Sequence, residues 1–97
     1  MNLSEIITAI NKYVSVAGGA LNSWYVGITK NPDNRLFNEH NVDKSNGIWI
    51  HCPADSNEIA RNVESFFLRQ GMDGGPGGGD WESRYVYSYK KGYETNP

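Results

Sequence analysis

The sequence predicts an α/β fold in which helices and strands alternate in the order α-β-α-β-α-β, giving a small three-stranded sheet flanked by helices. Three observations lead there. Two long segments repeat apolar residues at helical spacing, three short ones are rich in β-branched and aromatic residues, and Gly, Pro or Asn-Gly breaks separate them.

Taken in order, Leu3, Ile6, Ile7, Ile10 and Val14 mark the first helix, Asn2 with Glu5 forms a capping box, and Gly18-Gly19 ends it. A strand follows at about 23–29. Asn31 as N-cap and Pro32 at the first helical position open a second helix that runs to about residue 40. Asn46-Gly47 makes a turn, and residues 48–52 form a buried strand stopped by Pro53. Asp55 with Glu58 suggests a second capping box. It opens a long helix with Ile59, Val63, Phe66 and Phe67 on its apolar stripe, Glu64 at the border of that stripe, and Gly71 at its end. Residues 83–89 alternate as a last strand.

Between that helix and strand lies MDGGPGGGD, with five Gly, one Pro and two Asp. It is no phosphate loop, since it precedes a strand and lacks a following Lys-Ser or Lys-Thr. It reads as a structural connection, the alternative being a loop that closes over a substrate. No repeat or linker divides the chain, so residues 1–97 are expected to form a single domain.

Nine basic residues against eleven acidic give a formal charge of -2, which excludes a global attraction to nucleic acid and leaves only a local patch. No apolar run is long enough to cross a bilayer, and the start of the chain lacks the order of a signal peptide. The expectation is a cytoplasmic protein with no membrane partner. The lone Cys52 excludes an internal disulfide and a Cys-based zinc site, and it reads as a core residue. Its neighbour His51 does not pair with it, because successive strand side chains point to opposite faces.

The chemistry concentrates in WYVGITKNPDNRLFNEHN, residues 24–41. Its strand carries the Tyr25 hydroxyl, Gly27 lets another group approach the backbone, and its helix brings the guanidinium of Arg35 and the imidazole of His40 towards the same corner. Each residue also has a plain structural role. Tyr25 suits a half-buried core, Arg35 and Glu39 make an i,i+4 pair, His40 complements a helix C-terminus, and Glu64 suits a solvated helix face beside Glu58 and Arg61.

Tyr25-Val26-Gly27-Ile28-Thr29, Arg35-Leu36 eight residues after Gly27, and Glu64 within a later helix together resemble the YIG half of the GIY-YIG nuclease superfamily. The resemblance implies a metal-dependent endonuclease that hydrolyses DNA phosphodiester bonds. It implies that Glu64 holds one Mg2+ or Mn2+, that Arg35 and Gly27 bind the substrate, that Tyr25 orients or deprotonates water, and that His40 serves as base or phosphate donor.

The chain departs from that pattern in two places. The family's His or Tyr stands four residues after the Arg, whereas here that position is Glu39 and His40 is fifth. At about 100° per residue the fifth position lies about 140° round, so the two side chains share a face only if the helix frays or tightens before His40. No Gly-Ile-Tyr precedes Tyr25 either. Tyr13 stands about where that tyrosine belongs, but it extends the apolar stripe of the first helix. The strand at 85–89 is then the candidate replacement, as in a circular permutation, and it offers Tyr85, Tyr87 or Tyr89. Asn96 is the candidate for the family's late Asn.

A small acidic domain neutralises few phosphates, so DNA binding is expected to be weak or to need a protein partner. Two further readings stay open: an inactive GIY-YIG-like binding module that uses exposed Trp81, Tyr85 and Tyr89, and a structural domain whose glycine loop contacts another protein.

Overall fold

The computed structural model describes residues 1–75 and 80–97. Its elements are α1 (Leu3–Ala17), a 3-10 turn (Leu21–Ser23), β1 (Trp24–Thr29), a π-helix (Asn34–Glu39), β2 (Trp49–Pro53), α2 (Asn57–Gln70) and β3 (Tyr85–Lys90). The strands form one antiparallel sheet in the order β1-β3-β2, so the last strand of the chain is the central one.

Local signals in the sequence account for α1. Glu5 N–H donates to Asn2 Oδ1 and Asn2 N–H donates to Glu5 Oε1, both at 2.9 Å, which completes the expected capping box. Gly18 ends the helix at φ 85°. Tyr13 stays on α1, where its hydroxyl accepts from Trp49 N–H at 3.1 Å.

The cap of α2 differs from the expectation. Ser56, extended at φ -153°, accepts from Ile59 N–H at 3.2 Å, while Asp55 is drawn away to the N-terminal amine at 2.8 Å. Either residue type can cap a helix. Here the tertiary contact with Met1 takes the carboxylate, and the hydroxyl remains over the first turn.

Strand alternation divides the interior into two clusters. On one face Trp24, Val26, Ile28, Cys52 and Val86 pack with Ile6, Ile10, Val63 and Phe67 of the long helices. On the other face Leu36 and Val42 pack against Tyr87 and Tyr89, with Tyr25, Phe37 and Trp49 at the margin. Tyr89 is therefore 0% exposed and Tyr85 half-buried, and only Trp81, at 79%, has the exposure expected of those three aromatics. Tyr89 shares the face of Tyr87 and was expected to be exposed. What covers it is the π-helix and the end of the chain.

After α2 the chain returns along the free edge of β1. Val26 N–H donates to Asp73 O and Asp73 N–H to Trp24 O, each at 2.9 Å. At Gly74 a Cβ would meet Val26 O and Leu68 Cδ2 at 2.7 Å, so the approach requires glycine. The choice between a structural connection and a closing loop for 72–80 falls largely on residues 76–79, which lie outside the described residues. Among the described residues no helix is long and apolar enough to cross a membrane.

Candidate functional site

Strand pairing brings three tyrosines to one face. Tyr25 lies opposite Tyr89 and Gly27 opposite Tyr87. The Tyr25 ring stacks on Tyr89 at 5.3 Å and on Tyr87 at 6.3 Å between centroids. Gly27 makes this arrangement possible, because a Cβ there would stand 2.5 Å from Tyr87 Cζ. The group that approaches the backbone at Gly27 is thus the Tyr87 phenol.

The short helix supplies Arg35 and His40 by widening. Asn31 caps it, its Oδ1 accepting from Asn34 N–H at 3.1 Å, and Arg35 N–H bonds Asn31 O at 3.1 Å in ordinary α fashion. The next ring is larger, with His40 N–H donating to Arg35 O at 2.9 Å. An i to i+5 ring brings the fifth residue back over the first, where an α-turn would bring the fourth. The phase mismatch between Arg35 and His40 is therefore relieved by widening, not by the fraying or tightening expected from the sequence. Glu39 turns outward, where Oε1 stands 3.5 Å from Arg35 Nε and Oε2 accepts from Asn34 Nδ2 at 2.9 Å.

His40 is 6% exposed, and both of its ring nitrogens are engaged. Nδ1 stands 2.6 Å from the carbonyl oxygen of Asn96, which can only accept, so Nδ1 carries the proton. Nε2 is then the acceptor for the Tyr87 hydroxyl at 2.7 Å. The Tyr89 hydroxyl lies 3.0 Å from Nδ1. Asn96 N–H donates back to His40 O at 2.8 Å, so residue 96 grips the imidazole residue through its backbone. Burial lowers the pKa of His40, against the pull of the Asn96 carbonyl, and keeps the ring neutral at pH 7.

The tyrosine hydroxyls are held protonated. Burial raises the pKa of Tyr25, with the Asp73 carboxylate adding to it and Arg35 opposing. Tyr87 is pushed far up, mainly by burial, while the guanidinium of Arg35 opposes that rise by favouring the phenolate. Arg35 is the unsatisfied member of the cluster. Among the described residues its Nε is buried without a hydrogen-bond partner, since the 3.5 Å approach to Glu39 is an ion pair and not a hydrogen bond.

Glu64, expected on a border or a solvated face, is 4% exposed on α2. Burial raises its pKa, with Arg61 opposing, and its charge is felt by both Tyr25 and Tyr87. Among the described residues no group of three His, Cys, Asp or Glu side chains could cage a metal ion. A lone carboxylate suits a hard cation that draws its remaining ligands from water and phosphate, which is how Mg2+ is usually held.

The fold thus brings Tyr25, Arg35 and His40 together, and the Glu64 charge, carried on α2, acts on Tyr25 and Tyr87. Sequence reasoning left Tyr87 as one of three alternatives and had no access to the Asn96 carbonyl. The signal for the first was the alternation of tyrosines at 85, 87 and 89. A backbone acceptor leaves no signal in residue type. Compared with known proteins, the chain matches no family model, no curated protein and no solved structure.

Proposed function

We propose that this chain is a metal-dependent endonuclease that hydrolyses DNA phosphodiester bonds at a GIY-YIG-like site, with β3 standing in for the family's first strand and Tyr87 for its first tyrosine. The observation that carries the reading is the buried, unpartnered Nε of Arg35 beside the Tyr25, Tyr87 and His40 cluster. A planar guanidinium with a free donor is suited to a phosphate oxygen, and the anion would satisfy what the protein leaves open.

In this reading Arg35 holds the scissile phosphate in exchange for its loose contact with Glu39. Tyr87 removes a proton from the attacking water as its own proton passes to Nε2 of His40, which the Asn96 carbonyl keeps in the accepting tautomer. The imidazolium so formed is buried against that carbonyl. Tyr25, whose ring lies 4.7 Å from that of His40, orients the water. With both ring nitrogens engaged, His40 acts through Tyr87 and does not touch phosphate. Glu64 would hold the cation, which would supply charge to offset what develops on the phosphate oxygens.

Titration with Mg2+ and then Mn2+, followed by backbone NMR, tests the site. Shifts and broadening centred on Glu64 and Tyr25, lost in Glu64→Gln, support it. Spectra unchanged at millimolar metal overturn it in favour of an inactive binding module.

A further inference from the structure

Beside the tyrosine cluster, the same sheet face carries a run of aromatic rings that the proposed chemistry does not use. Phe37 meets Trp49 edge to face at 5.0 Å, Trp49 lies nearly parallel to His51 at 5.6 Å and 18°, and His51 meets Tyr85 edge-on at 6.0 Å. Lys44 Nζ stands 5.3 Å over the Phe37 ring at one end of the run. All four rings are half-buried and keep part of their surface open to solvent. The ladder follows β2, an edge strand, and His51 lies opposite Tyr87 in the register, so it begins where the tyrosine cluster ends.

Resting on the phosphate reading of Arg35, we propose that this ladder seats the unpaired bases of a single nucleic-acid strand, and that the substrate is therefore single-stranded or locally unwound DNA. Three features of the face select that occupant. Aromatic rings in a row on a sheet stack bases whose faces are free, and in a duplex those faces are already stacked. Both long helices pack on the opposite side of the sheet, and the six-residue π-helix is pinned by buried Leu36, so this face presents no helix for a major groove. The charge is also sparse. With a formal charge of -2, and with Lys44 over Phe37 and Arg35 at the neighbouring tyrosine cluster, few phosphates are neutralised, and stacking has to supply the affinity that a duplex would draw from its backbone.

The test is binding in EDTA, where cleavage is not part of the readout. Fluorescence anisotropy would compare a labelled oligothymidylate of about ten nucleotides with a duplex of equal length, a size within the usual range for one small module. The single strand is expected to bind at least about tenfold more tightly than the duplex, with a log–log salt slope of only about -1 to -2. It should also move the Trp49 indole N–H resonance. Tyr85→Leu, which keeps apolar bulk but removes the ring face, should weaken binding about tenfold, and Tyr85→Phe should leave it unchanged. Equal or tighter binding of the duplex, no binding of either, or indifference to Tyr85→Leu overturns the inference. Single-strand binding without any metal-dependent cutting would sink the nuclease reading alone. Cutting of duplex with no preference for single strands would sink this inference alone.

Discussion

The backbone N–H of His40 donates to the carbonyl of Arg35, five residues earlier, at 2.9 Å. That one bond decides which side chains of the short helix face the sheet. In an α-turn Glu39 would stand over Arg35 and place a carboxylate where an imidazole now sits. The wider ring puts Glu39 outside and sets His40 between Tyr87 and Asn96. A π-turn is an uncommon conformation, and it holds here because Leu36 is buried beneath it and His40 gains the buried Tyr87 hydroxyl and the Asn96 carbonyl as partners.

Deletion of Asn38 should convert this turn to an ordinary α-turn. Asn38 is exposed, and among the described residues its side chain donates to Asn34 Oδ1, at 2.9 Å. Its removal leaves His40 fourth after Arg35, so the same pair of side chains stays in phase. The expected result is unchanged or higher thermal stability, with the His40 to Tyr87 hydrogen bond still visible by NMR of the imidazole nitrogens. Loss of that bond would mean that the extra residue is needed for reach.

Gly27→Ala should be destabilising by about 1–3 kcal/mol, because the new methyl group meets a phenol that His40 holds in place. Chemical denaturation of the single and double variants measures this. In a Tyr87→Ala background the added methyl should be nearly neutral, and the difference is the coupling between the two positions. Equal losses in both backgrounds would place the strain elsewhere.

Two of the buried titrating groups, His40 and Glu64, give opposite pH dependences. His40 has a pKa below its ordinary 6.5, so the native state binds fewer protons than the unfolded chain, and stability falls as pH drops through that value. Glu64 has a pKa above its ordinary 4.5, so its contribution is complete below that value and is lost as pH rises through the raised pKa. Urea denaturation as a function of pH should therefore find Glu64→Gln more stable than the parent at neutral pH, with the gap closing in acid. A destabilised Glu64→Gln at neutral pH would show that the carboxylate is satisfied within the fold.

How much of this was legible in the sequence depends on how local each feature is. The capping box of α1 and the span of β1 could be read directly, because residues three apart or alternating along a strand determine them. The cap of α2 was misplaced by one residue, since Asp55 and Ser56 are both capping types and the distant Met1 amine decides between them. The position of His40 signalled a departure from α geometry without its direction. That direction depends on what draws the imidazole inward, and both partners come from the far end of the chain. Likewise, Gly27 announced a close approach but not that Tyr87 would make it, because strand register between distant segments is absent from either segment alone.

Nicking of supercoiled plasmid with Mg2+ or Mn2+ tests the central claim most directly. The wild-type protein should convert plasmid to the open circle in a metal-dependent manner. Glu64→Gln should abolish the reaction although the protein remains folded, and Arg35→Lys, which keeps the charge but loses the planar fork, should slow it by about a hundredfold or more. No nicking by the wild type, or equal nicking by Glu64→Gln, would contradict the account.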